Sequence, residues 1–188
     1  MSDDPLVADR KLTEAVNKTA KTILAGGCFW CIESAFMNVL GIESTQSGYT
    51  GGESLNPSYE EVCTGTTGHY EAVQVLFYPK QITFLQILEI FWLQIDPFDQ
   101  GGQFADRGSQ YQTAIFYLDA MQKQLAEQSK SSIENLFQKS VATQILPAKI
   151  FYPAEEYHQS YCSKRPAHYQ AYASHHQSRL QELWHNKS

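Results

Sequence analysis

Lys21-Thr22-Ile23-Leu24-Ala25-Gly26-Gly27-Cys28-Phe29-Trp30-Cys31-Ile32-Glu33 is the stretch on which the architecture turns. Residues 21–25 read as a short strand and the paired glycines as a turn. A helical period then starts, with Ile32, Ala35, Phe36, Val39 and Leu40 recurring at three and four, and Gly41 stands where a helix C-cap glycine belongs. Strand, glycine turn, helix puts Cys28 beside free backbone N–H groups and the positive end of a helix dipole, a setting that favours thiolate over thiol. Cys31 shares the same helical face, with Cβ atoms about 5 to 6 Å apart in a regular helix. A disulfide needs roughly 3.5 to 4.5 Å, so the pair closes only if that first turn tightens or frays.

Working outward, residues 42–68 read as strand and Gly-rich loop, with turns at 48–52 and at Asn56-Pro57-Ser58. Residues 70–78 alternate and carry Val73, Val75 and Phe77 on one face of a strand. Thr83 and Gln86 form a capping box for a helix through Phe84, Ile87, Leu88, Phe91 and Trp92 that ends near Leu93. Residues 96–110 are too broken for regular structure. A strand at 113–117, a helix capped by Asp119 and running toward Phe137, a strand at 148–152 and a short helix at 154–161 follow. Tyr169, Tyr172, His176, Leu180 and Leu183 trace a final amphipathic helix. This order predicts one α+β sandwich. Residues 1–20 read as a polar leader and 21–188 as a single domain, long enough to bury its own core.

The formal net charge of -6, with 14 Lys plus Arg and no basic run, gives no footprint for nucleic acid or an anionic membrane. No run of about 18 apolar residues is available for a membrane span, and the first 20 residues lack the apolar centre of a secretion signal. The reading is a cytoplasmic protein, and nothing in it suggests an obligate assembly, so a monomer is expected. Four cysteines, Cys28, Cys31, Cys63 and Cys162, are too few for a secreted disulfide scaffold. In a reducing compartment the Cys28-x-x-Cys31 pair points to redox chemistry or to metal. A thioredoxin-like oxidoreductase shares the spacing, but Phe29-Trp30 stands where that motif typically has Gly-Pro. A zinc site drawing on Cys63 or Cys162 lacks a second closely spaced pair, although His158 and His168 flank Cys162. Phe29 and Trp30 have apolar faces able to enclose a small uncharged group beside the thiolate.

The segment 26–33 resembles the signature of the A-type peptide methionine sulfoxide reductases. Tyr59-Glu60-Glu61-Val62-Cys63-Thr64-Gly65-Thr66-Thr67-Gly68-His69-Tyr70-Glu71, Asp106-Arg107-Gly108-Ser109-Gln110-Tyr111 and Glu155-Glu156-Tyr157-His158-Gln159 resemble three further blocks of that family in the same order. The resemblance implies a two-layer α/β sandwich related to the ferredoxin-like arrangement, with an irregular C-terminal region. It implies that Cys28 attacks the sulfoxide sulfur, that Glu71, its pKa raised by burial, protonates the oxygen, and that Tyr59 and Tyr111 donate to that oxygen. Phe29 and Trp30 would hold the ε-methyl group, and Asp106 would bind the backbone of the oxidised residue or orient a water. Cys28 would be left as a sulfenic acid, to be resolved by a second thiol and recycled by thioredoxin, with no metal or organic cofactor. Preference for the S epimer also comes from the resemblance alone. The chain departs from the common pattern at Gln170, where many members carry a recycling cysteine, at Gln112-Thr113 and at Gln94-Ile95-Asp96. Cys31 is therefore ranked first as resolver and Cys162 second. Cys63 reads as a buried small residue.

Overall fold

A computed structural model describes residues 18–185. Residues 1–17 of the expected leader lie outside that range, and Ala20 already belongs to the first strand. The elements are β1 (Ala20–Gly26), α1 (Phe29–Phe36), β2 (Ile42–Thr50), α2 (Tyr59–Cys63), β3 (Tyr70–Phe77), α3 (Phe84–Trp92), β4 (Gly102–Gln103), β5 (Asp106–Arg107), β6 (Thr113–Tyr117), α4 (Ala120–Phe137), β7 (Gln144–Pro147), β8 (Tyr152–Pro153), α5 (Tyr161–Lys164) and α6 (Pro166–His185).

The main sheet runs β7-β6-β1-β3-β2-β8. Its central four strands are antiparallel throughout and follow the chain path β1-α1-β2-β3-α3-β6, the split βαβ pattern of a ferredoxin-like sheet. Alternation decides the two faces. Leu24, Val73, Val75 and Phe77 turn toward Phe29, Ile32 and Phe36 of α1 and Ile87, Leu88 and Phe91 of α3. Each such side chain, fully buried, contributes about 1.5 to 3 kcal/mol. Ile23, Ala25, Ala72, Ala114 and Phe116 form a smaller cluster on the opposite face, against Leu146, Ala148 and Phe151. The helix layer and the covered back face give the expected two-layer sandwich. Both cap readings hold: Thr83 and Gln86 bond reciprocally, and the Asp119 carboxylate accepts from Gln122 N.

Several local expectations give way to tertiary contacts. α1 stops at Phe36, so Gly41 is not its C-cap. Gly41 (φ +91°) serves the turn into β2, where a Cβ would sit 2.9 Å from Gln81 and Ile82. The strand expected at 148–152 is replaced by β7, parallel to β6, and the short β8 on β2. Between them Ile150 gives its carbonyl to the Thr50 hydroxyl rather than to a neighbouring strand. The expected helix at 154–161 is a 3-10 turn at Glu156–His158 followed by α5. It breaks because the Gln159 side chain bonds both backbone groups of Ser47 and the Glu33 carboxylate takes the Ser160 N–H. Residues 96–110 contain a small β4–β5 hairpin, clamped by an Arg107–Asp99 ion pair.

Candidate active site

The site lies at one end of the sheet, where β1 ends, β3 begins and β2 ends. Gly27 makes the turn between β1 and α1 with φ +83°, and a Cβ there would fall 2.7 Å from Gln103 Cβ. A left-handed backbone and this close approach both favour glycine. The turn delivers Cys28 as the N-cap of α1 and Cys31 within its first turn, with Cys31 N–H bonded to Cys28 C=O at 3.2 Å. Both thiols are free, and each acts on the ionisation of the other.

Glu71 continues the inward face of Val73, Val75 and Phe77 by the same period of two. It is 1% exposed, and its Oε2 accepts the Phe29 N–H at 3.1 Å, on the residue next to Cys28. Burial pushes its carboxyl up to about 8, against the opposing Phe29 hydrogen bond and aided by the charges of Asp106 and Cys31. At neutral pH it is therefore mostly a protonated acid. Glu71 acts in turn on Tyr59 and Tyr111, whose hydroxyls burial first and then this carboxyl hold above their ordinary range. Both tyrosines also act on Cys63, whose thiol burial raises. Cys63 is half-buried rather than the buried filler expected.

The charge of the cysteine pair differs from the sequence expectation. Cys28 is only 7% exposed, and burial, the Cys31 bond and the Glu71 charge raise its thiol well above its ordinary value. Cys31 is lowered to about 6: Cys28 donates to its sulfur, and His176 both bonds it and attracts its charge, against the pull of burial and Asp106. These opposite directions favour an anion on Cys31 over one on Cys28.

α6 covers this cluster. Cys31 Sγ lies 3.5 Å from His176 Nδ1, and His176 Nε2 lies 3.5 Å from Asp106 Oδ2. The Tyr172 hydroxyl donates to Asp106 and works against the rise of the Cys28 thiol. Asp106 thus faces α6. The aromatic pair also meets the C-terminal region: Phe29 is 1% exposed among Tyr49, Tyr59 and His158, while Trp30 stacks on Tyr161 at 3.8 Å and donates to His158 Nδ1. With α6 in place the two thiols line a cavity of about 30 Å³, room for about one water molecule. A larger cavity of about 420 Å³ between α3, α4 and Trp184 holds no cysteine and is remote from this chemistry. Cys162 lies with its sulfur 3.3 Å from Met37 Sδ. Among the described residues no group of three or more His, Cys, Asp or Glu side chains is placed to hold a metal ion, and no helix is long and apolar enough to cross a membrane.

Tyr172 and His176 are the site residues that sequence reasoning missed. They were read as part of an amphipathic face. Two hydrogen-bonding side chains four residues apart on a partly buried stripe are the available signal. The block at 155–159 acts as a tether: Glu155 accepts from Tyr49 OH and Tyr59 N, and Gln159 ties to Ser47.

Two adjacent thiols, one ionised, beside a neutral buried carboxylic acid on a ferredoxin-like sheet define a thiol-based oxidoreductase. The model of the family described as peptide methionine sulfoxide reductase matches residues 20–188. Peptide methionine sulfoxide reductase MsrA of Bacillus subtilis is 55% identical over 150 residues, covering 79% of this chain and 85% of that protein. MsrA of Listeria monocytogenes is 49% identical over 154 residues, covering 81% and 87%. Among solved structures, Mxr1 of Saccharomyces cerevisiae in reduced form superposes with a TM-score of 0.76 at 34% identity, covering 80% of this chain and 87% of that one. Methionine sulfoxide reductase A of Corynebacterium diphtheriae gives 0.72 at 32% identity, covering 80% and 76%. The chain belongs to the peptide methionine sulfoxide reductase family.

Proposed function

We propose that the protein reduces the S epimer of methionine sulfoxide in oxidised proteins to methionine, through Cys28. The observation that carries this is the Glu71 acid buried against the backbone of the residue following Cys28. Cys28 attacks the sulfoxide sulfur as its proton passes to the Cys31 sulfur. Glu71 gives its proton to the oxygen, with Tyr59 and Tyr111 as further donors, and the S–O bond breaks. Methionine leaves and the oxygen stays on Cys28 as a sulfenic acid. Cys31, one helical turn from Cys28, is the nearest thiol to condense with it, releasing water and forming a disulfide, with Cys162 the second choice. A dithiol reductant of the thioredoxin kind then restores both thiols while becoming a disulfide itself; the yeast relative Mxr1 has also been solved in complex with Trx2. Phe29 and Trp30 would flank the substrate methyl group once α6 lifts, because a cavity of about 30 Å³ cannot take an oxidised methionine side chain. Free thiols of this kind suit the cytoplasm.

The test is reduction of a dabsylated methionine sulfoxide, with separated epimers, in excess dithiothreitol. Wild type should convert the S epimer and Cys28→Ser should not. Turnover by Cys28→Ser would remove the nucleophile, and conversion of the R epimer alone would remove the stereochemical assignment.

A further inference from the structure

The sulfoxide step returns a proton to Cys31, which must shed it again before it can attack the sulfenic acid. The structure supplies a group for this that none of the four family-like sequence blocks contains. His176 of α6 sets Nδ1 3.5 Å from Cys31 Sγ, while its Nε2 faces Asp106 Oδ2 at 3.5 Å. A carboxylate at Nε2 holds the imidazole proton on that nitrogen and leaves the Nδ1 lone pair aimed at the thiol. His176 is 6% exposed, with Phe104 against its ring at 5.0 Å and Tyr172 at 4.8 Å, so its position is set by packing. From these contacts we infer that His176, oriented by Asp106, is the base that takes the Cys31 proton in the resolving step.

Resting on the reductase reading, the step balances as follows. The Cys31 proton passes to His176, the thiolate attacks the Cys28 sulfur, the sulfenic S–O bond breaks, and hydroxide leaves with that proton as water. An S–S bond forms between residues 28 and 31. The ionisable and polar groups facing the Cys31 sulfur are Cys28 and the Glu71 and Asp106 charges from the sheet side, with Tyr169 and His176 from α6. Those facing His176 are Cys31, Asp106, Tyr172 and the neighbouring His175. Burial works against a protonated His176, and the Cys31 thiolate and Asp106 raise its pKa in the resting protein; once Cys31 has taken the Cys28 proton its charge is gone, and burial then favours the neutral ring with Nδ1 free to accept. The arrangement needs α6 seated over the pair, the geometry available once methionine has left.

The experiment is a single turnover of the full chain with a dabsylated methionine S-sulfoxide, quenched over time into dimedone and read by mass spectrometry as methionine, trapped sulfenic acid and mapped disulfide. In wild type the rate of disulfide formation should stay nearly flat through neutral pH. In His176→Gln it should fall about tenfold at neutral pH, with sulfenic acid accumulating, and recover as pH approaches the ordinary thiol value of about 8.5. Asp106→Asn should shift the profile the same way by less. A His176→Gln rate that is unchanged, or lower by one factor at every pH, overturns the inference, as does a disulfide mapped to Cys162. A wild type that releases no methionine instead overturns the reductase reading. A second measurement needs no variant: the His176 ring nitrogens, followed by NMR, should titrate at lower pH in the Cys28–Cys31 disulfide than in the reduced protein, where the thiolate holds the proton. Identical titration in both forms overturns the assignment.

Discussion

Replacing Glu71 by Gln tests the electrostatics of the site through two readouts that move in opposite directions. Glu71 is 1% exposed, and burial raises its pKa from an unfolded value of 4.5 to about 8. A carboxyl whose folded pKa lies above its unfolded one contributes stability that is fully present below the lower value and is lost as pH rises to the upper one. With about 1.4 kcal/mol per unit, wild type should lose on the order of 4 to 5 kcal/mol between pH 4.5 and 8 through this group alone. Gln is nearly isosteric, keeps an acceptor for the Phe29 N–H and does not titrate. Urea unfolding of both proteins from pH 5 to 9 should therefore show the variant gaining on wild type through this window and levelling above it. Sulfoxide reduction by the same variant should fall roughly 10²- to 10⁴-fold, the usual contribution of a positioned acid. A stability gap that does not change with pH would show that Glu71 is not held neutral by burial, and the acid role would lose its physical basis.

In the reduced, substrate-free protein, thiolate absorbance in the ultraviolet should rise with a midpoint of about 6 and vanish in Cys31→Ser; a step that survives there would put the charge on another sulfur. Gly27→Ala should lower the melting temperature, since a non-glycine residue in the left-handed region costs about 1 to 2 kcal/mol even before its Cβ meets Gln103. An unchanged melting temperature would refute the demand for glycine at this turn. Asp119→Ala removes the acceptor for Gln122 N at 2.8 Å and should cost about 1 kcal/mol in denaturant unfolding, without moving the pH profile of reduction.

Local chemistry made much of this protein legible in its sequence. The strand, glycine turn and helix around Cys28, the alternation that sets the faces of β3, and the caps at Thr83 and Asp119 each depend on residues within a turn or two of one another. The inward position of Glu71 was already implicit in the alternation through Val73, Val75 and Phe77. Where the local signal was contested by distant partners, the reading failed. Residues 154–161 broke their helix where Glu33, 127 positions away, took the Ser160 N–H that would have continued it, while Ser47 anchored the Gln159 side chain.

The proton distribution of the site was decided only in three dimensions. A helix start at Cys28 favours a thiolate locally, yet burial in the folded protein raises its thiol well above the ordinary value. The anion moves to Cys31, where His176, 145 residues away in the chain, is within 3.5 Å. Strand alternation, the glycine turn and helix caps depend on neighbours in sequence, so the residues alone determined where Cys28 and Glu71 fall on their elements. A pKa is set by which atoms surround a group and how much water they exclude, and the fold alone assembles those atoms.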